Sequence, residues 1–337
     1  MKSNKTILLV AVAVVLLVGG WLWYSKVETD KAEKAAAAVK AAELKEASVP
    51  IQTVKVAFQA DELITASLLG LAEDKGIFTK NRIEIKKVTS ASAISTLLKS
   101  GEADVSITSA ATVLLGYLNK QDTQWIDKIA DYPALFGFVG KAGDISTFKN
   151  AGVSKLGTSP QIYTEVVAPN LGIKGKIDFV VAANGAPQLA MIDQGKLDFI
   201  VSNVYNDTLQ KIISEKKYQS KSSKDTFKNK KVPVGVFTNQ KQIDTNSDAL
   251  ARFVKSINEV SDYVLTHKNE FKEEIKKDDS VNDALAQQIV DAFISARSKT
   301  NKPVVSDLND LMPVLKGLEP AEPGRDLNKF VNTKYVK

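Results

Sequence analysis

Leu97-Leu98-Lys99-Ser100-Gly101-Glu102-Ala103-Asp104-Val105-Ser106-Ile107 and Met191-Ile192-Asp193-Gln194-Gly195-Lys196-Leu197-Asp198-Phe199-Ile200-Val201 are two copies of one pattern, Gly195 following Gly101 by 94 positions. Each reads as the last turn of an amphipathic helix, a glycine that stops it, and an aspartate leading into a buried strand. An apolar run precedes each copy, Ile83 to Val88 and Ile177 to Val181. Each half is therefore a strand–helix–strand unit. Two such units predict two α/β lobes with a cleft between them, a place where a small ligand can be gripped.

Composition narrows the chemistry. A chain of 337 residues, 44% apolar and 25% charged, has enough material for two lobes and a sizeable core. With no cysteine there is no disulfide, thiolate metal site, cysteine nucleophile or lipid-modified cysteine. The single histidine, His267, lies in a Lys/Glu-rich helical stretch and is expected to be solvated. One histidine and no cysteine argue against a transition-metal site and against a histidine-based triad, and no cofactor is expected. The net charge of +6 is modest, and Lys216, Lys217, Lys221, Lys224, Lys228, Lys230 and Lys231 supply much of it. Aromatic residues do not interleave this cluster at the spacing of a nucleic-acid groove, so it is expected to be a solvated loop and nucleic acid is not an expected partner.

The amino terminus has its own logic. Ile7 to Tyr24 is an uncharged apolar run of 18 residues behind Lys2 and Lys5, just long enough to cross a bilayer. Trp21, Trp23 and Tyr24 at its far end suit the membrane–water interface. An uncleaved anchor over 1–25 is preferred to a cleaved signal, because the bulky ending lacks a small-x-small site close behind it. Either way the rest of the chain is exported, and the anchor makes the membrane an expected partner. Residues 26–50, rich in Ala, Lys and Glu, favour a helical stalk of roughly 30 Å. Alanine at most apolar positions makes a poor coiled-coil seam, and a monomer is expected.

From Thr53 strands and helices alternate, the signature of a mainly parallel sheet covered by helices. Strands are expected at 53–58, 82–88, 104–107 and 232–237, and helices at 64–75, 92–100, 110–119, 163–170, 247–266, 270–276, 282–298 and 305–315. The expected first lobe is discontinuous, 51–140 plus 234–337, and the second is 141–233, with hinge crossings near 138–145 and 228–236.

Here the residues resemble a known family. Val54-Lys-Val-Ala-Phe58, Leu71-Ala-Glu-Asp-Lys-Gly76-Ile-Phe78, Ile83-Glu-Ile85 and Leu97-Leu-Lys-Ser-Gly101-Glu-Ala-Asp104-Val105 are similar to the extracytoplasmic solute-binding proteins of ABC importers. The resemblance is to the nitrate/sulfonate/taurine and thiamine-precursor (NMT1/THI5-like) group, over about residues 53–270. It implies an α/β, two-lobed periplasmic-binding-protein-like fold of type II, here preceded by a transmembrane helix and a stalk. It also implies a small-molecule solute, an ABC permease and its ATPase as partners. The family's lipobox cysteine is missing.

In open α/β sheets ligands lie beyond the carboxyl ends of strands, beside helix starts. Gln59 and Asp61 follow the first strand; Ser109, Ala110 and Thr112 follow the third; Thr158, Ser159, Gln161 and Tyr163 open a second-lobe helix; Asn203 and Tyr205 follow the second repeat. Hydroxyl residues at helix starts suit an oxyanion, although Ser109 and Ser159 could equally be simple caps. Asp61 and Glu62 pull the other way, toward a ligand that also carries an amine.

The leading expectation is a membrane-anchored extracytoplasmic protein, in the periplasm or on the cell surface. It would capture a small polar solute, anionic or zwitterionic, and deliver it to an ABC permease without catalysis. Two alternatives are a ligand-sensing subunit of a signalling complex and an enzyme of cofactor-precursor metabolism on the same fold. The enzyme reading has only Glu165 and Asp131 as acid/base candidates, each without an evident partner.

Overall fold

Parallel strands need crossover connections, and the crossovers here are the two repeats. The computed structural model describes residues 48–336 apart from 60–61, 91–93, 206, 217 and 319–324, together with 28, 31, 33–35 and 37–38. Residues 1–51 and 52–337 form separate units. In the first, the described positions between 28 and 38 are helical and exposed. The expected anchor over 1–25 lies outside the described residues, and no helix among the described residues is long and apolar enough to cross a membrane.

In the second unit the described residues form ten strands in two five-stranded sheets. The first sheet has the order β2-β1-β3-β10-β4, from Ile83–Ser90 (β2), Gln52–Gln59 (β1), Val105–Ser109 (β3), Val234–Thr238 (β10) and Gln124–Ala130 (β4). The second has the order β7-β6-β8-β5-β9, from Asp178–Val181 (β7), Asn150–Val153 (β6), Phe199–Asn203 (β8), Phe136–Gly140 (β5) and Gln219–Lys221 (β9). The sheets are built alike. β1 pairs in parallel with β2 and β3, as β6 does with β7 and β8. The fourth strand of each sheet runs antiparallel and comes from the far side of a crossing: β10 against β3, and β5 against β8.

The repeated glycine and aspartate have the same job in both sheets. Gly101 and Gly195 end their helices at φ +77° and +71°, where an L side chain would be strained. Asp104 Oδ2 accepts from the Lys55 backbone N–H of β1 at 2.8 Å. Asp198 Oδ2 accepts from the backbone N–H groups of Lys149 and Asn150, beside and within β6, at 2.7 and 2.8 Å. These carboxylates fasten the central strand of each sheet to its neighbour.

Two positions differ from the expected organisation. Phe136–Gly140 already belongs to the second sheet and Val234 opens the returning strand, so the first crossing is 131–135 instead of 138–145, and the second, expected at 228–236, ends by 233. The apolar run at 134–139, which reads as the way out of the first lobe, is largely the strand that completes the second. β4 is absent from the sequence-based expectation. Its Asp127 and Lys128 are buried and break the apolar signature of a strand. Lys128 Nζ is matched by Asp307 Oδ2 at 2.7 Å, far away in sequence.

Asp307 also accepts from Lys231, at 2.5 Å, and Lys230 pairs with Asp310 at 3.0 Å. These two lysines of the expected solvated loop instead fasten the second crossing to the carboxyl-terminal segment. The crossings are joined directly as well, the Val232 N–H donating to Asp131 O at 2.9 Å. One apolar cluster continues from Ala57, Leu114 and Trp125 of the first lobe to Phe138, Tyr163 and Phe199 of the second. The lobes thus share a core beside the two crossings. His267 is half-buried, its ring stacked on Tyr263 at 3.7 Å, and is not the freely solvated group expected.

Candidate functional site

β1 and β3 deliver Gln59 and Ser109 to one cavity, and β8 and the Ser159–Leu171 helix deliver Asn203 and Tyr163 to the same cavity from the other lobe. The first crossing supplies Tyr132, Pro133, Ala134 and Leu135, and β5 begins at Phe136 on its wall. The Leu63–Asp74 helix adds Ile64, Thr65 and Leu68, with Glu62 at its start. The cavity is narrow, about 50 Å³. Its floor is apolar and its polar groups are few, the pattern of a small-molecule site.

Tyr163 is at the centre of a hydroxyl cluster. Its ring is held edge-on by Phe136 at 5.0 Å and Phe227 at 5.8 Å. Burial drives its phenol well above the ordinary value; the Ser109 and Ser159 hydroxyls pull it back, and the Glu62 charge adds to the rise. Ser159 Oγ shares a 2.6 Å hydrogen bond with Thr112 Oγ1. The helix starts of the two lobes therefore bond to each other beside the Tyr163 hydroxyl.

The other expected site residues serve local structure. The Ala110 N–H donates to Pro233 O at 2.7 Å, and its methyl group is buried in the core. The Thr158 hydroxyl donates to Lys155 O at 2.6 Å. Gln161 Oε1 accepts from the Gly157 N–H at 2.8 Å, and its Nε2 donates to Glu165 Oε1 at 3.0 Å. The half-buried Tyr205 ring packs on the apolar cores and is not among the cavity's lining residues; its N–H donates to Asn203 Oδ1 at 3.0 Å. Asp61 lies outside the described residues.

Sequence reasoning missed Tyr132, Phe136 and Phe293 as wall residues. The signal was present in Asp131-Tyr-Pro-Ala-Leu-Phe136, a proline between aromatic residues directly after a strand. Tyr132 stacks on Phe227 at 5.8 Å and its hydroxyl shares a 2.9 Å bond with Ser295; burial raises its phenol. The acid/base candidates of the enzyme alternative stand apart from the cavity's lining. Asp131 pairs with Lys128 at 3.3 Å, and burial raises Glu165 while its bond from Gln161 lowers it. Among the described residues no group of acidic or histidine side chains could hold a metal ion.

Two mirrored mixed sheets joined by two crossings, with a cavity between them, define a two-lobed periplasmic-binding-protein fold. Residues 65–271 match the family model described as NMT1/THI5 like, more than half of the chain, and the chain belongs to that family. A comparison with curated protein sequences gives no match. Among solved structures, the chain is similar to the Candida albicans CA3427 gene product, described as having the generic periplasmic binding protein fold. Identity is 17%, TM-score 0.64, and 85% of this chain and 98% of that one are covered. It is also similar to the periplasmic aliphatic sulphonate binding protein SsuA from Escherichia coli, at 12% identity and TM-score 0.65, covering 85% and 93% of the two chains. The desulfurization enzyme DSZB shares the fold at 12% identity and TM-score 0.61, covering 84% and 97%.

Proposed function

We propose that this protein is an extracytoplasmic solute-binding protein that captures a small polar solute between its lobes and hands it to an ABC permease, without chemistry on the solute. The observation that carries this reading is the cavity that Gln59 and Ser109 of one sheet share with Asn203 and Tyr163 of the other. A ligand touching both walls stabilises the closed arrangement of lobes, and the two crossings and shared core supply the hinge. The apolar run at 7–24 supports anchoring of the chain to the membrane, with lobes of about 52–135 plus 222–336 and 136–221 outside it. The likeness to solute-binding proteins such as the sulphonate-binding SsuA supports capture of a solute over biosynthesis.

A thermal-shift screen of the full-length chain against sulfonates, nitrate, pyrimidines, amino acids and polyamines tests it. A solute present at a hundred times its Kd adds about 2.7 kcal/mol and raises the midpoint by several degrees. A screen in which no class shifts a folded protein, with no small molecule released on denaturing it, contradicts the reading.

A further inference from the structure

We infer that Asn203 is the residue that selects the solute. Its amide is fixed as a hydrogen-bond donor, so the solute presents an acceptor, such as a carbonyl oxygen, to the second-lobe wall. The inference rests on the solute-capture reading and concerns the same cavity.

Asn203 closes β8 on the cavity wall and is half-buried. Its Oδ1 accepts from the Tyr205 backbone N–H at 3.0 Å. A backbone N–H only donates, so the atom that faces it is the oxygen, and the sense of the amide is settled. This is the bond of an Asx turn, made as the chain leaves the strand. Nδ2 has no acceptor among the described residues and is not sealed inside the protein. Its two N–H groups therefore stay open to whatever fills the cavity.

The other polar groups of the wall are spent or can turn. The Tyr132 hydroxyl is bonded to Ser295 at 2.9 Å, and Glu62 already has a partner within the protein. Ser109 Oγ accepts from the Ala111 N–H at 3.1 Å, which leaves its own O–H to donate. Burial holds the Tyr163 phenol protonated at neutral pH, so it too brings an O–H. Both hydroxyls rotate and can donate or accept, and the Gln59 amide can flip. Asn203 is the group whose sense the backbone fixes.

A solute that only donates at this wall, such as an alkylammonium, sets N–H against N–H and leaves the Asn203 donor unsatisfied. An acceptor oxygen satisfies it, and the hydroxyls of Tyr163 and Ser109 can turn to the same oxygen. Ile64, Leu68, Leu135 and Phe293 line the rest of the cavity. Its volume of about 50 Å³ holds roughly three to five water-sized bodies, which sets the solute's apolar part at a few carbon atoms.

Asn203→Asp tests the assignment, because it keeps the size of the side chain and an oxygen for the Tyr205 N–H while replacing Nδ2 with a second oxygen. Asn203→Ala removes the donor without adding a charge. Two probes of equal carbon number are titrated into the full-length wild type and both variants by ligand-observed NMR: butanone, which only accepts, and butylamine, whose ammonium only donates. The best ligand of the solute screen is titrated beside them, and thermal melting checks that each protein is folded. The wild type should bind butanone more tightly than butylamine. Each variant should weaken butanone by roughly 3- to 10-fold, the range of one net hydrogen bond, and Asn203→Asp should strengthen butylamine. Where the screen ligand alone binds, the same loss is expected of it. A wild type that prefers butylamine, or a bound ligand whose affinity is unchanged in both variants, overturns the donor assignment and leaves solute capture standing. Binding of neither probe, together with a flat solute screen, overturns both.

Discussion

Replacing Asp127 with asparagine should stabilise this protein at neutral pH, because the wild-type carboxyl is held in the wrong medium for its charge. Asp127 is fully buried in β4. Its Oδ1 accepts one bond, from Asn258 Nδ2 at 3.2 Å, and its Oδ2 has no partner. Burial pushes its pKa up to about 8; the Asn258 bond, the Arg297 charge and the Lys128 backbone oppose the rise without cancelling it. The folded carboxyl therefore keeps a proton that the unfolded chain, with a pKa of 3.8, releases. Between those values the folded state binds more protons than the unfolded state, so stability falls as pH rises through the window and levels off above about 8. At pH 7 the penalty is at most about 4 kcal/mol, from 1.36 kcal/mol per unit over the span from 3.8 to 7. The substituted amide keeps the shape and the Asn258 contact and does not titrate.

Urea unfolding of both proteins from pH 4 to pH 8.5 measures the difference. The Asp127→Asn variant should gain about 2–4 kcal/mol at pH 7, and the two curves should converge toward pH 4. A variant that is less stable at pH 7, by an amount that does not change with pH, would refute the reasoning. It would mean that Asn258 and Arg297 hold the carboxyl ionised.

Asp307→Asn should act in the opposite direction. Burial raises Asp307, but the hydrogen bonds and charges of Lys128 and Lys231 outweigh it and hold the carboxyl below the usual range. The wild-type contribution is present above the unfolded pKa of 3.8 and is lost as pH falls through the lower folded value. Removing the charge leaves buried Lys128 with Asp131 at 3.3 Å, and should cost about 3–5 kcal/mol at pH 7 by urea melting. Thr112→Val and Ser159→Ala should each destabilise by about 1 kcal/mol, and the double variant by less than their sum, since both remove the same interlobe bond. Gly235→Ala should destabilise by several kcal/mol, because a Cβ there would lie 2.1 Å from Asp127 O and 2.5 Å from Trp125 Nε1. A thermal melt within a degree of wild type would contradict it.

How much of this was legible in the sequence differs between fold and site. The paired Gly101/Asp104 and Gly195/Asp198 patterns carried the two-lobed architecture because they answer local needs: a left-handed helix stop, and a carboxylate for exposed strand N–H groups. β4 was hidden because Asp127 and Lys128 are tolerated by partners more than 100 residues away, which no local pattern announces. The same limit applied to the site. Gln59, Ser109 and Asn203 followed from strand ends and Tyr163 from a helix start, and all four reach one cavity. Thr112 and Ser159 also lie at helix starts, but whether such a hydroxyl turns to a ligand or to another helix depends on how the lobes meet, and here they turn to each other. Tyr132 and Phe136 reach the wall because the crossing comes several residues earlier than the apolar run suggested.

The central claim is that the cavity between the lobes holds the solute. Ala134 lines it and is nearly buried, so Ala134→Trp should fill it. Native mass spectrometry of the full-length chain and this variant, both shown to be folded and both offered the best ligand from the solute screen, reads occupancy directly. One bound solute per chain in the wild type and none in the variant is the predicted result. Equal occupancy in the two proteins would place the solute elsewhere and contradict the account.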